Sequence, residues 1–570
     1  MSAILDTILG APETRRATLR SSIAAPIAIA SVLVAIAVTV YAALDSTAPI
    51  LWNDETGYLS NAQILSGVGA PRDLSGRGYY YIGWSFLLVP LWWISTDPQV
   101  IYSMAVALSV ASSLAAIIPL TLIGRRLGID TWLSITGAAI VVMAPARTVQ
   151  SSLALSESFL TLVLALVALF AVRFAAERSA ANASLLLFFA VWAFVTHGRM
   201  ASVLAAAVLW VVISRWRQWI STTILVAVTI AASAGSFVLY RSLAERLYGD
   251  DSNRESVGIS RIFEADIGAV IVTGSGQLWY LQVAWLGLAV VGLCFIALHA
   301  WREWRSRRLD GATWALVAVA GAAVLSVTWL STRVGDGTAR LDMFTYGRYL
   351  DPVTTIVAFF GIVWFIRGLS RRQSLVITVV QLVIIGAFAL VALVAIPRPL
   401  DLNWVPTSVS GLLAYPWPFV TSASGPPWIV ASAVGVLSAI ALLLLRTRQI
   451  VILVVAVIAF GSMSIVAERQ TMHPFFAGMY DSFTLRDELG EIEPGTISFD
   501  SSGLLDDTVS QNSYQFWVAP DPLPVFDSTT TAPTTEYVIA RKDWPAAEAL
   551  GAELVAEDTG MFNNALWRLP

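Results

Sequence analysis

The chain has 570 residues, of which 57% are hydrophobic and only 13% charged. A soluble globular protein carries about 25% charged residues, so a soluble enzyme built around one core is excluded and a polytopic α-helical membrane protein is expected. The formal net charge is −4, with no basic tract for a nucleic-acid partner; Cys294 is the lone cysteine and His197, His299 and His473 are scattered, which excludes a disulfide framework and a zinc motif.

A spanning helix needs roughly 20 mostly apolar residues. The first candidate is Ile23 to Ala43, preceded by Arg15, Arg16 and Arg20, which places the N-terminus in the cytoplasm by the positive-inside rule. The aromatic segment Tyr79 to Ser95 is short. Treating it as a crossing would put Arg125 and Arg126 outside, so it reads as a re-entrant or interfacial helix within a long first outer loop, 44–98. Spans then follow at Val100–Ile123, Leu133–Pro145 and Ser158–Phe174. The run Leu185–Ile213 reads as two short helices broken by "THGR". Thr222–Tyr240 goes out to an outer loop at 241–275, and Leu278–Ala300 returns to the basic stretch "WREWRSRRLD". Trp314–Ser331, Tyr349–Ile366, Leu375–Ile396, Trp428–Leu445 and Ile450–Val466 complete about thirteen spans. The membrane domain is thus 1–467. The acidic tail, 468–570, reads as a small extracytoplasmic α/β domain: "TISFD" and "EYVIA" as strands, "DWPAAEALGAEL" as a helix with Asp543 as N-cap. Lys542 is the only lysine, and the Ala- and Val-rich composition fits a GC-rich bacterial genome and a bacterial plasma membrane.

On this topology the outer helix ends collect costly polar residues, which in membrane proteins usually line functional cavities. Asp54, Glu55 and Tyr58 lie on the first outer loop. Arg147 and Glu157 flank the second, and His197 and Arg199 form the "THGR" turn. Arg333, Arg340, Asp342, Tyr346, Arg348 and Asp351 follow in one stretch. Carboxylates and arginines on one face suit transfer from a phosphorylated lipid: arginine grips phosphate with a planar fork, and a carboxylate takes the proton of an attacking hydroxyl. Each has a plainer alternative. The Asp54–Glu55 pair fits a solvated loop or a helix cap, Glu157 a cap, His197 and Arg199 a polar turn, and Arg348 a side chain snorkelling to head groups. "GSGQ" at 274–277 reads as a glycine-containing turn.

The long acidic first loop, the re-entrant aromatic segment, the second-loop acid in "LALSES", the "GRYLDP" element and the outer C-terminal domain together resemble the GT-C superfamily of membrane glycosyltransferases. That group includes protein O-mannosyltransferases, the lipid A aminoarabinose transferase, the oligosaccharyltransferase catalytic subunit and mycobacterial arabinosyltransferases. The resemblance implies Asp54, with Glu55 beside it, as the acid that activates the acceptor, Glu157 as the second-loop acid, and Arg348 at the donor phosphate. It places Arg199 and His197, with Arg147, Tyr346 and Tyr58, at the substrate. The implied donor is a decaprenyl- or undecaprenyl-phosphate sugar. The acceptor is a cell-envelope glycan, lipid or protein, and transfer by one displacement inverts the anomeric centre. A divalent cation (Mg, Mn or Ca) is compatible with this chemistry, but no motif demands one. No "WWD" motif is present, which argues against N-glycan transfer. The rival reading is a transporter or flippase of lipid-linked sugars, which would share the arginines and the groove but often carries internal repeats; none is evident.

Overall fold

The computed structural model describes residues 21–76, 80–249, 265–334, 341–394, 405–415, 428–493, 495–502, 508–560 and 562–570. Among these, seven helices are long and apolar enough to cross a membrane, or up to nine if each of two bent pairs is one span. The expected count of thirteen is not confirmed. Three anticipated crossings, Ala180–Thr196, Gly198–Ser214 and Ile429–Leu444, are short apolar helices, as is Ile82–Ile94 in the segment read as re-entrant. Large aliphatic side chains such as Leu33, Val228, Val383 and Ile458 stand exposed along the long helices, as suits a lipid-facing surface.

The run expected to break at "THGR" does so. His197 takes extended backbone (φ −153°, ψ 117°) between Ala180–Thr196 and the short turn Gly198–Met200. Three expectations need correction. Leu278–Ala300 is not one continuous helix: Ile267–Ala284 and Leu288–Arg305 meet at 113°, and the helix before them runs Trp219–Tyr248, beyond the anticipated end at Tyr240. "GSGQ" is no turn but lies inside Ile267–Ala284, where a Cβ on Gly276 would fall 1.8 Å from the Phe344 carbonyl oxygen. Small residues allow helix backbones to approach in this way. The same device joins Leu288–Arg305 to Asp351–Arg367: a Cβ on Gly292 would lie 1.8 Å from Val357 O, and one on Gly361 2.1 Å from Leu288 O.

The boundary expected at 468 falls inside a helical rod. Gln449–Ala467 continues through a π-helical turn, Glu468–Met472, into His473–Asp481. The small domain starts just beyond it, with Phe483 and Leu485 in its core beside Phe499, Tyr514, Ile539 and Leu566. Its sheet comprises β1 (Ile497–Asp500), β2 (Val525–Phe526), β3 (Tyr537–Arg541), β4 (Glu553–Glu557) and β5 (Asn564–Arg568), in the order β2-β1-β3-β5-β4. β1 is parallel to β2 and β3, and β5 is antiparallel to β3 and β4. Both anticipated strands are present. The anticipated helix shrinks to Ala547–Leu550, and Asp543 is not its cap. Its carboxylate instead takes two hydrogen bonds from the Arg541 guanidinium, 2.8 and 2.7 Å, and "AELVAE" turns into β4. The helix Thr508–Trp517 went unanticipated.

That helix docks the domain onto the first loop. Asn512 Nδ2 donates to Asn53 Oδ1 (2.6 Å) and Ser75 O (3.1 Å), and its Oδ1 accepts from Ser75 N (3.0 Å). Gln63 Nε2 donates to Pro520 O at 2.6 Å, and Trp52 packs between Phe483 and Phe516.

Candidate active site

The first-loop helix, Trp52–Ser66, carries Asp54 and Glu55 in its first turn, where carboxylates favour the helix dipole. Successive helical residues point in different directions, and here the two acids part company. Glu55 is fully buried. Its Oε2 accepts from Ile50 N and Leu51 N, both at 2.9 Å; its Oε1 accepts from Tyr102 Oη at 2.7 Å and Ala154 N at 3.0 Å. With both oxygens occupied, two of them by N–H groups at the start of its own helix, Glu55 is an anchor tying the first loop to the second. The cap reading fits Glu55, and nothing in its geometry offers a free oxygen for proton transfer.

Asp54 turns the other way. Its Oδ2 meets Arg348 Nη1 at 2.8 Å and its Oδ1 accepts from Tyr80 Oη at 3.2 Å. Arg348 also places Nε 2.6 Å from Glu157 Oε1. One guanidinium thus bridges acids more than a hundred positions apart in sequence. The Asp54 side chain is 36% exposed and that of Glu157 only 4%, so Asp54 is the carboxylate that a substrate can reach. Glu157 does not cap its helix, Glu157–Ala176; it holds Arg348. Among the described residues the buried Glu157 Oε2 has no hydrogen-bond partner. Burial alone would lower the Arg348 pKa, but Glu157 and Asp54 more than reverse it, so the cation is firmly held.

Local chain geometry fixes this arginine. In "GRYLDP" the N–H groups of Gly347 and Arg348 both donate to Ser408 O, at 2.8 and 3.1 Å. A Cβ on Gly347 would lie 1.9 Å from Tyr280 Cζ, so only glycine fits. Pro352 then starts Asp351–Arg367 at a position that needs no donor. Asp351 is buried and accepts from Tyr280 Oη at 2.9 Å.

The other anticipated residues lie around this centre. Tyr58 Oη is 3.0 Å from Ser156 Oγ, and burial followed by the Glu157 charge pushes the phenol up, keeping it protonated. Burial likewise raises Tyr346, whose ring lies 4.4 Å from that of Tyr349. The Arg199 guanidinium stacks on Tyr349, 3.2 Å from the ring centroid, and hydrogen-bonds His197. Burial and then Arg199 and Arg348 hold His197 well below its usual range, so the imidazole is neutral. Arg147 is fully buried, its Nη2 3.2 Å from Glu157 O, with Nε and Nη1 unpartnered. It supports the second loop from beneath. Arg340 lies outside the described residues. Tyr80, Tyr349 and Ser408 were not anticipated: single tyrosines and serines in aromatic or loop stretches carry no spacing signal.

Among the described residues no group of three or more His, Cys, Asp or Glu could hold a metal ion. With Arg348 between Asp54 and Glu157, the residues present do not fit a divalent cation. Next to the site an apolar cleft opens, lined from six helices. Val353, five positions after Arg348 and at the start of Asp351–Arg367, and Val203, four positions after Arg199, line it, and it continues past Val357 and Ala318 towards Trp210 and Trp314.

No protein-family model and no curated relative matches the sequence. Solved structures do match. ArnT from Cupriavidus metallidurans in the apo state aligns with TM-score 0.52 and 16% identity over 95% of this chain and 98% of that one. The same protein bound to undecaprenyl phosphate gives 0.50 and 16% over 95% and 97%. The archaeal oligosaccharyltransferase AglB from Archaeoglobus fulgidus is a more distant match, with TM-score 0.45 and 10% identity over 90% and 69%. Alignment over nearly the whole length of both chains shows that this chain has the fold of ArnT.

Proposed function

We propose that the protein transfers a sugar from a polyprenyl-phosphate donor to a hydroxyl of a cell-envelope acceptor. The observation that carries this reading is Arg348, clamped between Asp54 and Glu157 at the head of an apolar cleft. A long isoprenoid fits the cleft, and its phosphate reaches the arginine fork. The ArnT structure bound to undecaprenyl phosphate supports the same class of ligand.

Phosphate oxygens displace Asp54 from Nη1 and engage the Nη atoms of the fork, while Glu157 keeps Nε and holds the fork in place. Asp54, freed from its ion pair, accepts the proton of the acceptor hydroxyl. The acceptor oxygen attacks the anomeric carbon as the bond from that carbon to the phosphate oxygen breaks. The products are the inverted glycoside and polyprenyl phosphate. Its growing negative charge is met by Arg348, a preorganised contribution worth about a hundredfold or more in such sites. Tyr58 stays protonated, its phenol pushed up by burial and the Glu157 charge.

The test is release of polyprenyl phosphate by purified protein, offered a panel of polyprenyl-phosphate sugars with envelope acceptor extracts. Wild type should turn over, and Asp54→Asn should lose about 10²–10⁴-fold, the range for a general base. Binding of a donor without cleavage under any acceptor would point instead to a transporter of lipid-linked sugars.

A further inference from the structure

The "GRR" motif at 124–126 serves no step above, and its placement is unusual. Helix Glu157–Ala176 carries Glu157 at the site and Arg173 sixteen residues later, about 24 Å away along the axis. There Arg173 joins Arg125 and Arg126, from the last turn of Ile117–Arg126, around a cleft of about 440 Å³ whose remaining lining is Leu122 and Leu169. Arg125 and Arg126 are exposed and Arg173 half-buried. Among the described residues none of the three is ion-paired with a carboxylate. Asp130, the nearest acid in sequence to Arg126, spends its side chain on the N–H groups of Trp132 and Leu133. On the same face Arg178, by contrast, is paired with Asp310 at 2.9 Å.

Below the arginines runs an apolar stripe. Ile118 and Leu122 are both exposed and lie one turn apart, with Arg126 one turn further. An apolar rail ending in three guanidinium groups without a carboxylate partner, Arg173 resting over the Phe170 ring at 5.3 Å, has the shape of an amphiphile: acyl chains along the rail, anion in the cleft. We infer that this cleft binds the headgroup of an anionic phospholipid in the leaflet opposite the Asp54–Arg348 site. A free phosphate would use the arginines but leave the rail idle. A basic surface that merely obeys the positive-inside rule needs no cleft and no convergence of two helices.

The protein, purified in mild detergent and stripped of lipid, is mixed with phosphatidylglycerol or phosphatidylcholine, and retained lipid is counted by native mass spectrometry. Wild type should retain phosphatidylglycerol in preference. Arg125→Gln/Arg126→Gln should weaken retention by about five-fold for each arginine removed, the factor expected for one basic residue at an anionic surface. Both positions are exposed, so folding is preserved. Arg307→Gln/Arg308→Gln, which removes equal charge elsewhere on the same face, should change nothing. Equal retention of both lipids, equal loss in the control variant, or full displacement by inorganic phosphate at a concentration matching the lipid would each overturn the assignment.

Discussion

Asp54 and Glu55 are adjacent and chemically alike, yet their surroundings assign them opposite work. Glu55 spends both oxygens on four donors in a buried knot between the two loops. Glu55→Gln places an NH₂ against backbone N–H groups that cannot accept. Unfolding should become easier by about 1–3 kcal/mol, read as a lower Tm, with activity per folded molecule largely kept. Asp54→Asn should do the reverse, leaving Tm nearly unchanged and abolishing turnover. A Tm loss in Asp54→Asn equal to that of Glu55→Gln would mean that both acids are structural. Arg348→Lys is no conservative change, since an ammonium cannot span Asp54 and Glu157 at once; turnover should fall by about a hundredfold or more. Arg348→Ala strips the buried Glu157 of its partner and should cost about 3–5 kcal/mol, visible as poor recovery of folded protein.

At the scale of elements, the site is assembled by short and broken pieces rather than long spans. The first-loop helix supplies Asp54, the start of Glu157–Ala176 supplies the second acid, and the loop before Asp351–Arg367 supplies the arginine. These were legible in the sequence because each puts a charge beside an apolar run. The docking helix Thr508–Trp517 was not. Its polar face reads as ordinary solvated surface until Asn512 is seen to hold Asn53 and Ser75. Asn53 is the neighbour of Asp54, so this clamp links the C-terminal domain to the orientation of the acid. Asn512→Ala should speed amide exchange in the first-loop segment 67–76 and lower turnover, with donor binding intact. Unchanged exchange and turnover would reduce the domain to a cover. Gly347→Ala tests the other flank: the added methyl overlaps Tyr280, at about 1–3 kcal/mol for overpacking, and should shift Arg348 and depress turnover more than stability.

For the molecule as a whole, apolar runs sufficed to read a membrane domain followed by a small C-terminal domain with a sheet. They misjudged continuity. The break at Trp285–Gly287, where Ile267–Ala284 and Leu288–Arg305 turn by 113°, is hidden because the residues at the bend are themselves apolar, and hydropathy averages over direction. The rod through Glu468 was hidden for the opposite reason: a charged residue ended the apolar run, although hydrogen bonding carried the helix on to Asp481. The Arg348 bridge depends on contacts across some three hundred residues, which no local pattern encodes.

The most direct test of the account is a structure of the protein with polyprenyl phosphate bound. The account predicts the phosphate on the Arg348 fork, with N–O distances of about 2.7–2.9 Å, the isoprenoid in the cleft past Val353 and Val357, and Asp54 released while Glu157 keeps its hold. A phosphate bound elsewhere, with the Asp54–Arg348 pair intact, would contradict it.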